Sequence, residues 1–289
     1  MSLKSTVRVA SVQMISTPRL QDNLDRAAQL LAEAAQAGAQ MAVLPEYFCL
    51  MGHKDTDKLA ITENEGVGPI QEFLSAQARD LGISIVGGTL PLRSPSEGKV
   101  FNTSLVFDAQ GQPIARYDKI HLFCFQGVNE SYDEGRVLVA GQTPVAMDVP
   151  LYKAVEGAPN NAQPNGGLNK LRLGLSICYD LRFPELYRAM GPVDLIVVPA
   201  AFTYTTGLAH WELLLRARAV ENQCYVLGCG QGGVHENGRR TFGHSMVIDP
   251  WGEVLEVLPE GEGVVIADLS PDKMNDIRSR LPALNHRVL

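Results

Sequence analysis

The sequence has no apolar run approaching the roughly 20 residues that cross a bilayer, which argues against a helical membrane span. Its start, MSLKSTVRVASVQ, has no extended apolar segment leading to a small-residue cleavage site, so a cytoplasmic rather than a secreted protein is expected. Positive charge is also scarce. The 25 Lys and Arg residues stand against 32 Asp and Glu, a net charge of -7, which speaks against nucleic acid as the main partner. The five cysteines, Cys49, Cys124, Cys178, Cys224 and Cys229, are odd in number and widely spread, with no C-x-x-C pair. That pattern fits neither a disulfide framework nor a zinc site and reads as free thiols.

Several familiar signatures are missing as well. His121, His210 and His244 fall in different segments without a ligand-like pair, so no metal is expected. Gly228 to Gly233 (GCGQGG) follows an apolar run but lacks both the G-K-[S/T] ending of a phosphate loop and the full dinucleotide fingerprint. It reads instead as an active-site loop where backbones approach closely, and no cofactor is expected. Gly243-His244-Ser245-Met246 is not G-x-S-x-G, so the serine-hydrolase elbow is absent.

What remains is an ordinary globular composition, 45% apolar and 20% charged over 289 residues. Val7 to Gln13 alternates as a strand. Asn23 to Gln36 carries a helical stripe (Leu24, Ala27, Ala28, Leu31, Ala34, Ala35) closed near Gly38. MAVLPE is a buried strand stopped at Pro45, Gly68 to Leu81 a second helix, and ISIVGGTL a further strand. This alternation predicts an α/β layer. In the second half RLGLSICYD reads as a strand, Pro184 as the start of a short helix, GLAHWELLLRARAVEN as a strong helix and CYVLGCG as a buried strand. Trp211 and the Leu213–Leu215 run read as core. PDKMNDIRSRLP reads as a short polar helix near the end.

Two phrases recur in the same order. SLVFDAQGQPIARY returns as SMVIDPWGEVLEVL, each with Asp-x-x-Gly at the turn, and QMAVLPEYF returns as DLIVVPAAF. Two similar halves follow, each a strand-and-helix layer ending in a hairpin. The simplest packing is a four-layer α-β-β-α sandwich in one domain spanning 1–289, with its core at about 7–285. Lys153 to Asn169, rich in Asn, Gly and Pro, reads as a surface excursion between strands.

Ligand sites in α/β sheets form beyond the carboxyl ends of strands. Glu46 follows MAVL-Pro, Lys119 follows IARYD, and Cys178 ends LRLGLSI. Taken singly, each has a plain reading: a rim carboxylate, a snorkelling lysine, strand filler. Together they make a nucleophile set. A thiol attacks a carbonyl or nitrile carbon, Glu46 serves as its base, and Lys119 with the Tyr179 N–H stabilises the tetrahedral intermediate. Polar groups and a helix start after Cys178 predict a lowered thiol pKa. Burial raises a glutamate's pKa and the lysine opposes it. Arg182 reads either as an ion-pair partner of Glu185 or as a direct contact for a substrate carboxylate.

LPEYF, RYDKIHLF and ICYDLRFPEL, in this order, resemble the glutamate, lysine and cysteine motifs of the nitrilase, or carbon–nitrogen hydrolase, superfamily. The likeness runs from about Val7 to Leu289. GLAHWELLLRARAVENQCYV and GHSMVIDPWGEVL resemble its Nit branch. The resemblance implies an α-β-β-α sandwich, usually dimerised, and a Glu–Lys–Cys triad acting on small linear carboxamides, with no cofactor. It also implies a second glutamate between the lysine and cysteine motifs. Glu130 and Glu134 compete for it. The family's aromatic two residues before and glycine seven after match Tyr132 and Gly141, which selects Glu134 and leaves Glu130 in reserve. The implied substrate is a deaminated glutathione-like amide. Dicarboxylic monoamides, N-carbamoyl amino acids and nitriles are the alternatives within the superfamily. Acyl transfer and a non-catalytic scaffold are the rivals outside hydrolysis. The segment from Lys153 to Asn169 departs from the family by its length.

Overall fold

Alternate residues of Val7–Gln13 (β1) point to opposite faces, and both faces are covered. The computed structural model describes residues 3–126, 131–152 and 169–288. In it, Val7 and Val9 pack into one apolar cluster while Ala10 and Val12 pack into another. A strand buried on both sides requires a layer on each side of it.

After β1 come Leu20–Gln36 (α1), Met41–Val43 (β2), Pro69–Leu81 (α2), Ser84–Val86 (β3), Leu90–Arg93 (β4), Val100–Phe107 (β5) and Pro113–Asp118 (β6). A short ribbon, Cys124–Gln126 (β7) and Ser131–Asp133 (β8), precedes the second half. That half runs Val145–Leu151 (β9), Asn169–Leu175 (β10), Pro184–Ala189 (α3), Leu195–Ala200 (β11), Tyr204–Asn222 (α4), Tyr225–Gly230 (β12), Ser245–Ile248 (β13), Val254–Leu258 (β14), Gly263–Leu269 (β15) and Pro271–Arg280 (α5).

Among the described residues, seven strands form one sheet in the order β15-β1-β2-β3-β5-β4, with β6 on β5. Six form a second in the order β14-β13-β12-β11-β10-β9. Each holds a parallel trio, β1-β2-β3 and β10-β11-β12, flanked by antiparallel strands. The sheets face each other, β1 against β12 and β13, and β3 and β6 against β9. Helices α1 and α2 cover the outside of the first sheet, and α4 the outside of the second, with α3 beside it. The expected α-β-β-α sandwich is the observed architecture. Strand β15 returns from the second half to pair with β1 along its whole length, from Val7 opposite Leu269 to Gln13 opposite Gly263.

The recurring phrases are structural equivalents. Asp108 Oδ1 accepts from the N–H groups of Gln110 and Gln112, and Asp249 Oδ1 accepts from those of Trp251 and Glu253. Gly111 and Gly252 close the two turns at φ 76° and 86°.

Some boundaries differ from expectation. Helix α1 starts at Leu20 and α4 at Tyr204, each three residues before the predicted start. ISIVGGTL splits into β3 and β4 because Gly87 and Gly88 turn the chain between them. RLGLSICYD stops pairing at Leu175, and Cys178 opens a separate tight turn through Arg182. Trp211 and Leu215 are core as expected, but Leu213 is 66% exposed. Glu130 and residues 153–168 of the Asn- and Gly-rich segment lie outside the described residues.

Candidate active site

Four side chains come together at the strand ends where the two sheets meet. Strand β2 ends at Val43, Leu44-Pro45 carries the chain out of the sheet, and Glu46 is followed by Tyr47 at φ 58°. That left-handed conformation costs a non-glycine residue about 1–2 kcal/mol, so the surroundings must hold it. Tyr47 N donates to Thr89 Oγ1 at 2.9 Å, and Gln231 Nε2 donates to the Glu46 carbonyl at 3.0 Å. Gly88 sits so close that a Cβ there would lie 2.1 Å from the Pro45 carbonyl oxygen. The GCGQGG loop therefore contributes to the site through the Gln231 side chain rather than by cradling a phosphate.

The Glu46 carboxylate is saturated. Oε1 accepts from Lys119 Nζ and Asn102 Nδ2, each at 2.9 Å, and Oε2 accepts from the Ala201 N–H at 2.9 Å. Lys119 follows the last residue of β6. Its N–H donates to the Asn102 carbonyl at 3.0 Å, and its own carbonyl accepts from Gly141 at 2.8 Å. Its Nζ also reaches Glu134, at 2.9 Å from Oε1 and 2.8 Å from Oε2. Glu134 is fixed in turn: Oε2 accepts from the Phe123 N–H at 2.7 Å and Oε1 from the Tyr47 hydroxyl at 2.9 Å.

These contacts set the charges. Burial disfavours the Lys119 ammonium, but the negative charges of Glu134 and Glu46 outweigh it and raise its pKa well above the usual lysine value. Burial pushes Glu134 up; the Lys119 charge and hydrogen bond overcome this and leave its pKa lowered. Both thus stay ionised, one cation between two carboxylates, with the Lys119 side chain wholly sealed from solvent.

Cys178 lies against this group at φ 48°. The thiol does not have the lowered pKa expected of it. Burial, and after it the charge of Glu46, raise it well above the usual cysteine value, and the opposing pull of Lys119 is smaller. Its resting form is the neutral thiol. The elbow that presents it is held by Asp180, a fully buried carboxylate. Asp180 Oδ2 accepts from the Ile177 N–H at 2.9 Å and the Tyr117 hydroxyl at 2.7 Å, and Oδ1 accepts from the His121 N–H at 3.0 Å. The ring nitrogen His121 Nδ1 lies 2.7 Å from the same Oδ1.

Tyr179 and Arg182 flank Cys178 on the same turn. The Tyr179 ring packs edge-on against Phe123 and Phe183. The Arg182 guanidinium lies over the Tyr179 and Phe202 rings, at 5.7 and 5.6 Å from their centroids, and 3.3 Å from His210 Nδ1. The Arg182–Glu185 ion pair considered above does not form among the described residues. Of the other cysteines, Cys49, Cys224 and Cys229 are buried, with pKa values pushed up to about 12 by desolvation, and Cys124 is exposed. Among the described residues no group of three His, Cys, Asp or Glu side chains is placed to hold a metal ion.

Asn102, Tyr47, Asp180 and the Ala201 N–H were not singled out in the sequence. Tyr47 and Asp180 had a signal, since each lies next to or within two residues of a reactive side chain in its motif. Asn102 and Ala201 had none.

The carbon–nitrogen hydrolase family model matches residues 8–279, and the chain belongs to that family. It is an amide-cleaving C–N hydrolase of the nitrilase superfamily. It is 39% identical to a deaminated glutathione amidase of Synechocystis, over 96% of this chain and 97% of the relative. It is 35% identical to the deaminated glutathione amidase of Homo sapiens, over 96% and 81%. Among solved structures it resembles Saccharomyces cerevisiae Nit3, a member of branch 10 of the nitrilase superfamily, with a TM-score of 0.81 and 30% identity over 97% of this chain and 96% of that one. It also resembles an amidase from Nesterenkonia sp., with a TM-score of 0.73 and 29% identity over 98% and 97%.

Proposed function

We propose that the chain hydrolyses a small linear carboxamide related to deaminated glutathione, through a thioester on Cys178. The observation that carries this reading is the sealed Lys119 side chain held between Glu46 and Glu134 beside the Cys178 thiol. Cys178 Sγ attacks the amide carbon while its proton passes to Glu46. The tetrahedral oxyanion is stabilised by Lys119 and the Tyr179 N–H. As the C–N bond breaks, Glu46 returns the proton to nitrogen and the amine leaves, cysteinylglycine from deaminated glutathione or ammonia from a primary amide. Water then gives a proton to Glu46 as its oxygen attacks the thioester, and the thiolate recovers that proton when the acid departs.

In this scheme a raised thiol pKa is useful. The thiol is protonated at rest, and Glu46 removes the proton only as the carbon–sulfur bond forms. Glu134 is the positioning residue that fixes Lys119. Arg182 meets the substrate from the Cys178 side, a role supported by its place across Tyr179 and Phe202. The substrate preference is supported by the relatives named deaminated glutathione amidase.

We infer further that the chain works as a single domain in a cytoplasmic homodimer. The exposed apolar residues Leu213, Val220 and Trp251 support a face that pairs. Among the described residues no helix is long and apolar enough to cross a membrane.

The test is a panel of deaminated glutathione, α-ketoglutaramate, an N-carbamoyl amino acid and a nitrile, assayed for cysteinylglycine, ammonia and carbon dioxide. Release of cysteinylglycine from deaminated glutathione, faster than release of product from any other substrate, is the expected result. Fastest release from α-ketoglutaramate would make the enzyme an ω-amidase, and carbon dioxide release a carbamoylase.

A further inference from the structure

Beside the catalytic group lies a cleft lined by Tyr47, Gly52, Lys54, Asp55, Lys58 and Arg239. Its charge is unbalanced, with three cations against one carboxylate. Lys58 and Arg239 are both half-buried, and neither forms an ion pair among the described residues. Each rests instead on an aromatic ring. Lys58 Nζ is 4.6 Å from the centroid of Tyr47, and the Arg239 guanidinium is 5.0 Å from that of Tyr132. The charges of Glu134 and Asp55 act on Lys58 from beyond ion-pair distance, and a half-buried cation on a ring face with no carboxylate in contact retains hydrogen-bond donors for an anion.

Those two rings lead directly to the reacting groups. The Tyr47 hydroxyl donates to Glu134, which holds Lys119. Tyr132 precedes Glu134 by two residues and packs on Phe123, whose N–H also donates to Glu134. An anion between Lys58 and Arg239 is therefore one side chain away from the Lys119–Glu134 pair. Arg182, on the Cys178 turn, already has His210 Nδ1 at 3.3 Å and two rings beneath it.

We propose that Lys58 and Arg239 form a carboxylate subsite that selects linear amides with an anionic group on the acyl chain. The inference rests on the amidase reading above and adds to it the charge of the substrate. Lys58 supplies a compact point charge, and Arg239 a planar fork suited to a carboxylate. Neither residue takes part in bond breaking. Both act by binding and by orienting the amide toward Cys178.

The test separates binding from turnover. In a Cys178→Ala background, Kd is measured for the monoamide of a dicarboxylic acid and for its uncharged methyl ester, with and without Lys58→Met and Arg239→Met. Each substitution should reduce the preference for the acid over the ester about tenfold, and Arg239→Lys should restore part of it. A preference that stays within about twofold would overturn the proposal. So would equal weakening of acid and ester, which marks a purely structural role. Ammonia release by the unsubstituted enzyme is assayed alongside. If no amide is turned over, the amidase reading fails, and the binding preference still decides the subsite.

Discussion

Lys119 Nζ stands 2.9 Å from Glu46 Oε1, and neither side chain is more than 1% exposed. A buried ammonium this close to a carboxylate is tolerable because Glu46 also accepts from Asn102 and Ala201, and Lys119 also donates to Glu134. The pair is over-determined, and in the proposed mechanism a reacting carbonyl would meet groups that need little rearrangement.

The Glu46 charge raises the Cys178 thiol pKa, and Lys119 lowers it. In Glu46→Gln the thiol pKa should therefore fall while turnover also falls, by about 10²–10⁴-fold for a lost acid–base group. The rate of Cys178 alkylation against pH measures the first quantity, and the rate of amide hydrolysis the second. An unchanged or higher thiol pKa would show that Glu46 does not act on the sulfur.

Glu134 has a folded pKa below its usual 4.5. Its contribution to stability is thus complete above pH 4.5 and is lost as pH falls through the lower folded value. Glu134→Gln removes one of two counter-charges from a sealed lysine. It should destabilise the protein by about 3 kcal/mol at pH 7. The gap in urea unfolding between parent and variant should close as pH drops below 4.5. A gap that stays constant down to acid pH would contradict this charge assignment.

Gly88→Ala and Gly98→Ala form a matched pair. Both positions have positive φ, 49° and 71°, but only at Gly88 does a Cβ collide, 2.1 Å from the Pro45 carbonyl. Gly98→Ala should cost about 1 kcal/mol of backbone strain and leave turnover intact. Gly88→Ala should destabilise the protein more and lower kcat, because it pushes the elbow carrying Glu46. Equal effects of the two in thermal unfolding and in kcat would rule out this role for Gly88.

Asp180→Ala leaves the Ile177 N–H and the Tyr117 hydroxyl without their buried acceptor. A loss of about 3 kcal/mol is expected. The fall in kcat should exceed any change in KM, since the Cys178 elbow moves while the pocket walls remain. Calorimetry and steady-state kinetics check both parts.

Much of this was readable from the amino-acid order. The helical stripes of α1 and α2 and the paired Asp-x-x-Gly turns are local patterns, and each produced the expected element. Strands β2 and β3 have three residues each, too few to show a period; flanking Pro and Gly marked β2, while the Gly87-Gly88 turn hid the end of β3. Glu46 and Lys119 stood out because charged residues next to apolar strands conflict with burial. Their hydrogen bonds were not readable. The Glu46 contact to Ala201 spans 155 residues and that to Asn102 spans 56. The thiol's pKa went the other way because it depends on burial and on Glu46, neither of which the turn around Cys178 encodes. A helix start and neighbouring polar residues were weaker influences than desolvation.

The proposed mechanism requires an acyl group on Cys178. The enzyme is mixed with deaminated glutathione, quenched in acid within one turnover and mapped by peptide mass spectrometry. A mass gain on the Cys178 peptide equal to deaminated glutathione less cysteinylglycine is expected, lost again as the acid is released. Steady turnover with no such adduct, or an adduct on another cysteine, would contradict it.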